Sequence, residues 1–473
     1  MLTRRTFTSA LAAGTATLAK PAIVSASVGR PTNGVRIVED SAPDAENLSI
    51  QYNLAYQRTP KLRALCSDTD SVAATVRWAR EEDLSFALRS GGHCFAGSST
   101  HADLVIDLRQ MDRFWVDPDS RRLTGQPGAK LGAVYRAGFP HNLTVPAGWC
   151  ADVGLGGHAL GGGIGYLARA HGLLCDHLVA LTLVDAEGRI HHVNAQSDAD
   201  LLWASRGGGG GLGAVTRYTF DMQSTGTTTS LRLFGGVAAD QAAPLIHRWM
   251  EWSIAQPNQT TSHLAVTSLS DGRIFVRITG LSEMSAATLQ VSLAPVAEDV
   301  LLFVGPSLVE GTYGEVMEET VLSFPAFYIP ADARAVFRPS IMPIDALEAL
   351  IGVQVRAHGD GNAMGMVFET LGGAIDIPTP RATAYPHRGS SFLAWASVSA
   401  QDGPGLDLAR PFLDEAAIHL RAGASGRGYV NYRDRSLDDF ATAYWGENLP
   451  RLQGVKRRID PDGLFSSLHT VPL

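Results

Sequence analysis

The chain has 473 residues, of which 45% are hydrophobic and 18% charged, and its formal net charge is −8. That length exceeds one ordinary core and implies two domains, while the composition excludes a disordered chain. The acidic balance offers no basic field to nucleic acid or an anionic membrane, and four cysteines (Cys66, Cys94, Cys150 and Cys175) are too few for a disulfide scaffold, their pairing being left open.

At the N-terminus, Thr3-Arg4-Arg5-Thr6-Phe7 resembles a twin-arginine export signal, with an Ala-rich apolar stretch from Ser9 to Ala19 and small residues at Val24-Ser25-Ala26. Residues 1–26 are therefore expected to be a signal peptide, and the mature chain to begin near Ser27 in the periplasm or outside the cell. The apolar run is too short to span a bilayer, and no other segment is long enough.

Residues 53–220 read as mixed α/β. Asp70 and Ser71 are placed to cap a helix carrying Val72, Val76 and Ala79, ending near Asp83. Short strands follow at Leu84–Leu88, Leu104–Leu108 and Arg122–Thr124, then a helix over Lys130–Ala137. Leu178–Val184 and Ile190–Val193 form a hairpin, and Asp198–Ala204 a short helix. Composition changes after residue 222, where the Thr/Ser/Gly-rich Gln223–Ser230 reads as a linker or hairpin. Beyond it, strands at Leu264–Thr267, Ile274–Thr279, Val367–Thr370 and Phe392–Ser399 alternate with helices at Ala238–Ala255, Ile344–His358 and Leu408–Ala422. This middle region predicts an antiparallel sheet flanked by helices, so the fold class is α+β in two domains.

Two constellations carry chemistry. In Arg89-Ser90-Gly91-Gly92-His93 a strand ends in two glycines that turn the backbone inward just before a histidine. Alone, such a turn is more often a plain loop. The second is Pro146-Ala147-Gly148-Trp149-Cys150, followed by Gly154, Gly156, Gly157, Gly161, Gly162, Gly163 and Gly165. Gly154-x-Gly156-x-x-Ala159 satisfies a dinucleotide fingerprint in letters only, since no Val/Ile-rich strand precedes it. The run suits extended backbone lying along a large planar or pyrophosphate ligand. Cys150, His158, His171, Cys175 and His177 fall within 28 residues but reproduce no compact zinc spacing, so no metal site is assigned.

The two constellations, in this order and about 57 residues apart, resemble the FAD-linked oxidases of the berberine-bridge-enzyme-like family, within the vanillyl-alcohol-oxidase superfamily. The resemblance continues through Asp200-Leu201-Leu202-Trp203-Ala204-Ser205-Arg206, Pro386-His387-Arg388, Tyr429-Val430-Asn431-Tyr432-Arg433-Asp434, Tyr444-Trp445-Gly446 and Asp460-Pro461. It implies a two-domain FAD-linked oxidase fold, with the flavin domain at 27–222, a substrate domain at 223–426 and a returning segment at 427–473. It also implies FAD held by two covalent bonds, from His93 to the flavin 8α carbon and from Cys150 to C6. Arg89, Ser90, Gly91, Gly92, Gly148, Val153, Gly154, Gly156, Gly157, Gly162, Gly163, Tyr429 and Asn431 are then expected around the cofactor. Tyr432 is implied as the catalytic base or its partner; a phenol acting as base near neutral pH needs nearby positive charge or hydrogen-bond donors, and Arg433 and Arg435 are adjacent in sequence, their facing left open. Tyr166 is read as lying over the flavin, lining the substrate channel or packing in the core.

Val153, three residues after the linking cysteine, implies reoxidation by O2 to hydrogen peroxide. The substrate is expected to be a sugar or other alcohol, the tailoring of a secondary metabolite and a flavin-loaded binding protein being the alternatives. One departure stands out, Gly211-Leu212-Gly213 where the family usually has Asn-Phe-Gly.

Overall fold

The computed structural model describes residues 30–100, 102–298, 300–322 and 328–473, so the expected signal peptide at 1–26 lies outside the described residues. Near the N-terminus, a helix over Thr69–Glu81 connects two strands of a four-stranded sheet. The helix is capped by Asp68, whose carboxylate accepts from the Ser71 amide, while the Ser71 hydroxyl accepts from the Asp68 amide. The cap thus begins two residues before Asp70, because this reciprocal pair satisfies donors that Asp70 cannot reach. Leu62–Cys66, Leu104–Asp107 and Phe86–Arg89 run parallel in that sheet, and Val35–Glu39 adds an antiparallel edge.

A five-stranded antiparallel sheet follows, ordered Phe114–Asp117, Arg122–Gly125, Ala214–Asp221, Leu178–Val184 and Ile190–Asn194. The Gly-rich stretch after Cys150 is not extended throughout. Leu155–Leu160 makes a short helix because Leu155 and Ala159 bury one side of it, and the glycines from Gly161 end it.

The region 227–399 holds a seven-stranded antiparallel sheet, ordered Leu301–Thr312, Thr227–Val237, Ile274–Ser282, Thr260–Ser268, Ala363–Thr370, Phe392–Ser399 and Ala331–Arg338. The stretch read as a linker or hairpin is mostly strand: Thr227–Ser230 opens the second of these strands, and Gln223–Ser224 pairs with Leu143–Thr144. Thr is β-branched and packs well on a pleated surface, so a Thr-rich composition that resembles a loop becomes strand once neighbours flank it.

One face of this sheet packs against helices Ala239–Ala255, Ile344–Gly359 and Gly403–Arg421. It contributes Val276, Ile278, Leu264, Val266, Met366, Phe368, Ala394 and Ala396 to a single apolar core. Side chains alternate along a strand, so Arg277, Thr279, His263, Val367, Glu369 and Trp395 turn to the opposite face.

Candidate active site

The two glycine motifs meet backbone to backbone. A Cβ on Gly91 would lie 2.3 Å from the Gly154 amide nitrogen, and one on Gly154 would lie 2.5 Å from Gly91. Only glycine at both positions permits this approach. Lys130 reinforces it, its Nζ donating to the Asp152 carbonyl at 2.7 Å and the Gly91 carbonyl at 3.4 Å. Two segments far apart in sequence are thereby brought to one cavity, and His93 and Cys150 both line it.

The cavity measures about 310 Å³, inside the usual range of roughly 300–1,000 Å³ for ligand sites. It extends from the end of the parallel sheet (Phe86, Leu88) past the Gly-rich turn to Trp395 on the seven-stranded sheet. Ser90, Gly91, Gly92, Gly148, Val153, Gly154, Gly156, Gly157, Tyr429, Asn431 and Tyr432 line it as well. Arg89, Gly162 and Gly163 do not. The Arg89 guanidinium is buried behind the loop, where it donates to the carbonyls of Ser49 and Ile50. Gly162 and Gly163 have positive φ and sit one layer back, the Gly163 amide donating to the Tyr429 hydroxyl at 2.9 Å. Gly211, at the point of departure from the family pattern, does line the wall.

Polar contacts hold the Gly-rich turn in place. His158 Nε2 accepts from the Gly148 amide at 2.8 Å, and burial lowers the imidazole to about 4, so it stays neutral and accepting. Asn431 Nδ2 donates to the His158 carbonyl at 3.1 Å and to the Tyr429 hydroxyl at 3.0 Å. Tyr429 and Asn431 therefore fix the turn as well as lining the cavity.

This cavity fits a flavin dinucleotide. A Cβ at Gly157 or Gly210 would meet no protein atom within 4 Å, so these stretches of main chain lie bare on the cavity wall. Backbone of this kind can approach a pyrophosphate or a ring edge closely. Trp149, Leu160, Ile164, Val215 and Phe465 supply apolar surface for a planar ring system. Two potential nucleophiles, His93 and Cys150, stand on the same wall. Burial, with the Glu369 charge second, pushes the Cys150 thiol up to about 11, so it is held as the neutral thiol although its side chain opens into the cavity.

Tyr432 faces the cavity beside a residue the sequence reading missed. Its hydroxyl donates to Glu369 Oε1 at 3.2 Å, and Trp395 Nε1 donates to the same oxygen at 3.0 Å. The other carboxylate oxygen is buried and has no partner among the described residues. Burial raises Glu369 to about 7, and burial together with the Glu369 charge holds the Tyr432 phenol well above its ordinary value. The two neighbouring arginines are engaged elsewhere. Arg433 donates to Ser98 Oγ at 2.7 Å and to the Leu468 carbonyl, and Arg435 donates to the Ala96 carbonyl and stacks on Tyr56. The partner of Tyr432 is a carboxylate.

His263 pairs with Glu369 across neighbouring strands. Burial, then the charge of Arg277, depresses its imidazole to about 3, and neither ring nitrogen has a hydrogen-bond partner among the described residues. Tyr166 stacks on His263 with centroids 4.5 Å apart and shares a 2.9 Å hydrogen bond with Thr279. Tyr166 therefore ties the glycine-rich turn to the sheet. Of the residues weighed for zinc, His177 bonds the His171 carbonyl at 2.8 Å and Cys175 is buried in an apolar cluster.

Comparison with known proteins gives the same picture. The FAD binding domain model matches residues 60–194, and the model named Berberine and berberine like matches residues 428–472. The chain is 30% identical to the aclacinomycin-N/aclacinomycin-A oxidase of Streptomyces galilaeus over 470 residues, covering 88% of this chain and 85% of that one. It is 27% identical to the chitooligosaccharide oxidase of Gibberella zeae over 454 residues, 89% of each chain. The structure of Physcomitrella patens BBE-like 1 superposes with a TM-score of 0.85 at 22% identity, over 93% of this chain and 97% of the other. With the glycine-joined cavity spanning both matched regions, the chain belongs to the berberine-bridge-enzyme-like family of FAD-dependent oxidoreductases.

Proposed function

We propose that this protein is an exported oxidase of a carbohydrate or related alcohol, with FAD tethered at both His93 and Cys150 and O2 as final acceptor. The observation that carries the reading is that Tyr432 lines the same cavity as His93 and Cys150 and donates to the buried Glu369. When bound, FAD supplies the acceptor for the hydride of the substrate C–H. The protein's part is to remove the hydroxyl proton. Tyr432 takes it as its own proton passes to Glu369 Oε1, so no free phenolate has to form in a buried setting. A carboxyl raised to about 7 accepts a proton readily near neutral pH. The Trp395 indole keeps the carboxylate aimed, and its ring on the cavity wall gives a sugar face a surface on which to stack.

The chitooligosaccharide oxidase at 27% identity supports a carbohydrate substrate. The aclacinomycin oxidase at 30% favours a second reading, the tailoring of a secondary metabolite. Val153 on the wall supports access for O2. Export rests on Arg4-Arg5 and the small residues before Ser27. The first test is peptide mass spectrometry of the purified protein after acid denaturation, followed by a peroxide screen of mono- and oligosaccharides. A flavin mass joining the His93 and Cys150 peptides, with peroxide from a sugar, is the expected result. A colourless protein with both residues free would overturn the tether. Peroxide from aclacinomycin N or A and none from sugars would favour the second reading.

A further inference from the structure

The ring of His93 is held in a defined orientation by protein groups. Its Nε2 lies 3.1 Å from Asp152 Oδ2. An ionised carboxylate only accepts, so Nε2 carries the proton and the lone pair resides on Nδ1. Among the described residues nothing bonds Nδ1, and the ring lines the cavity. Tyr52 stacks on the imidazole with centroids 4.7 Å apart and planes at 22°, which fixes its orientation.

Asp152 is itself constrained. Tyr328 donates its hydroxyl to Oδ2 at 2.6 Å, and Lys130 Nζ sits 3.2 Å from Oδ1. The hydrogen bond from His93, then those of Tyr328 and the Lys130 charge, hold the carboxyl well below the usual range, so it is anionic at any working pH. Its backbone lies two residues before Gly154, in the contact that joins the two motifs.

We infer that Asp152 is a positioning residue for cofactor attachment: through Nε2 it fixes the tautomer of His93, presents the Nδ1 lone pair to the flavin 8α methyl group, and stabilises the positive imidazole that forms. This rests on the proposed tether at His93. In the step, the Nδ1–C8α bond forms while one methyl C–H bond and the imidazole N–H bond are given up. The two hydrogens and their electron pair enter the isoalloxazine, which is thereby reduced. O2 then takes them as hydrogen peroxide and the ring system returns to its oxidised form. The arrangement parallels the carboxylate that orients histidine in a hydrolase triad.

The test follows attachment rather than turnover. Protein made in riboflavin-limited cells is incubated with FAD, quenched in acid at intervals and digested, and flavin on the His93 and Cys150 peptides is quantified by mass spectrometry. Asp152→Asn is expected to slow attachment at His93 at least tenfold while Cys150 reacts at the wild-type rate, an internal control for folding and FAD binding. Asp152→Glu restores the His93 rate to within a few-fold, and Tyr328→Phe is intermediate. Attachment at His93 in Asp152→Asn at the wild-type rate overturns the proposal, as does equal loss of both bonds in Asp152→Asn and Asp152→Glu. A wild-type chain that never carries flavin on His93 overturns the tether reading, and the proposal with it.

Discussion

At the scale of single residues, Glu369 and Tyr432 form one proton-accepting unit. Tyr432→Phe removes the group that meets the substrate hydroxyl, and kcat is expected to fall about 10²–10⁴-fold, measured as oxygen consumption on the best substrate from the screen. Glu369 is raised from an ordinary 4.5 to about 7, and the ionised form accepts the proton, so wild-type kcat falls as pH drops through 7. Glu369→Gln gives a low rate without that limb, and a persistent limb would assign it to another group. The same shift has a stability consequence of opposite sense. A carboxyl that binds its proton more tightly when folded stabilises the protein below its unfolded pKa, and that contribution is lost as pH rises through 7. Glu369→Gln is therefore expected to be more stable than wild type at pH 8 by about 1–3 kcal/mol and nearly equal at pH 4, by denaturant unfolding at the two pH values. Glu369 carries no sequence flag: it follows Phe368 at the end of an ordinary apolar strand, and only its cross-strand partners single it out.

At the scale of elements, the site depends on loops held by backbone contact. The Gly91–Gly154 approach leaves no room for a methyl group, because the nearest atoms are main chain and cannot rotate away. Gly154→Ala is expected to cost about 1–3 kcal/mol of stability and to lower flavin retention, read as the melting temperature and the flavin-to-protein absorbance ratio. A yellow, equally stable variant would show that the turns separate without penalty. The sequence exposes these glycines as a cluster but does not pair them. Their spacing is compatible with a flexible loop, and the pairing exists only once Ala129, Leu131 and Gly132 exchange backbone hydrogen bonds with residues 151–155.

At the scale of the whole molecule, the C-terminal segment closes the cavity that the N-terminal half opens. Lys456, buried in the Leu449–Ile459 helix, donates to the Gly211 carbonyl at 2.5 Å, to Asp460 at 2.5 Å and to the Phe465 carbonyl at 3.1 Å. It thus holds Phe465–Ser467, which line the cavity, against the Gly-rich stretch after residue 207. Lys456→Met leaves the Asp460 carboxylate buried without its cation, at an expected cost of about 3–5 kcal/mol. Thermal unfolding and flavin loss on gel filtration would check this, and an unchanged melting temperature would mean that the Leu464 and Phe465 amides suffice for Asp460.

The sequence alone exposed the segments of the FAD-binding half of the site. Two glycine clusters with a histidine and a cysteine at fixed offsets, and the Tyr429–Asp434 segment, are local patterns whose meaning survives without coordinates. About half of the helices and strands among the described residues were also legible from their apolar periods, within a few residues at most ends. Tertiary structure decided the other half of the site. A period of two tells which residues share a face of a strand, but register between strands comes from pairing over long separations. His263 opposite Glu369, and Glu369 beside Trp395, arise from strands about 30 to 100 residues apart that only the folded sheet aligns, and Tyr432 joins them from the C-terminal segment outside the sheet. The strand at Leu301–Thr312 and the one opening at Thr227 were hidden for the same reason, since their composition favours neither loop nor strand until a neighbour supplies the ladder.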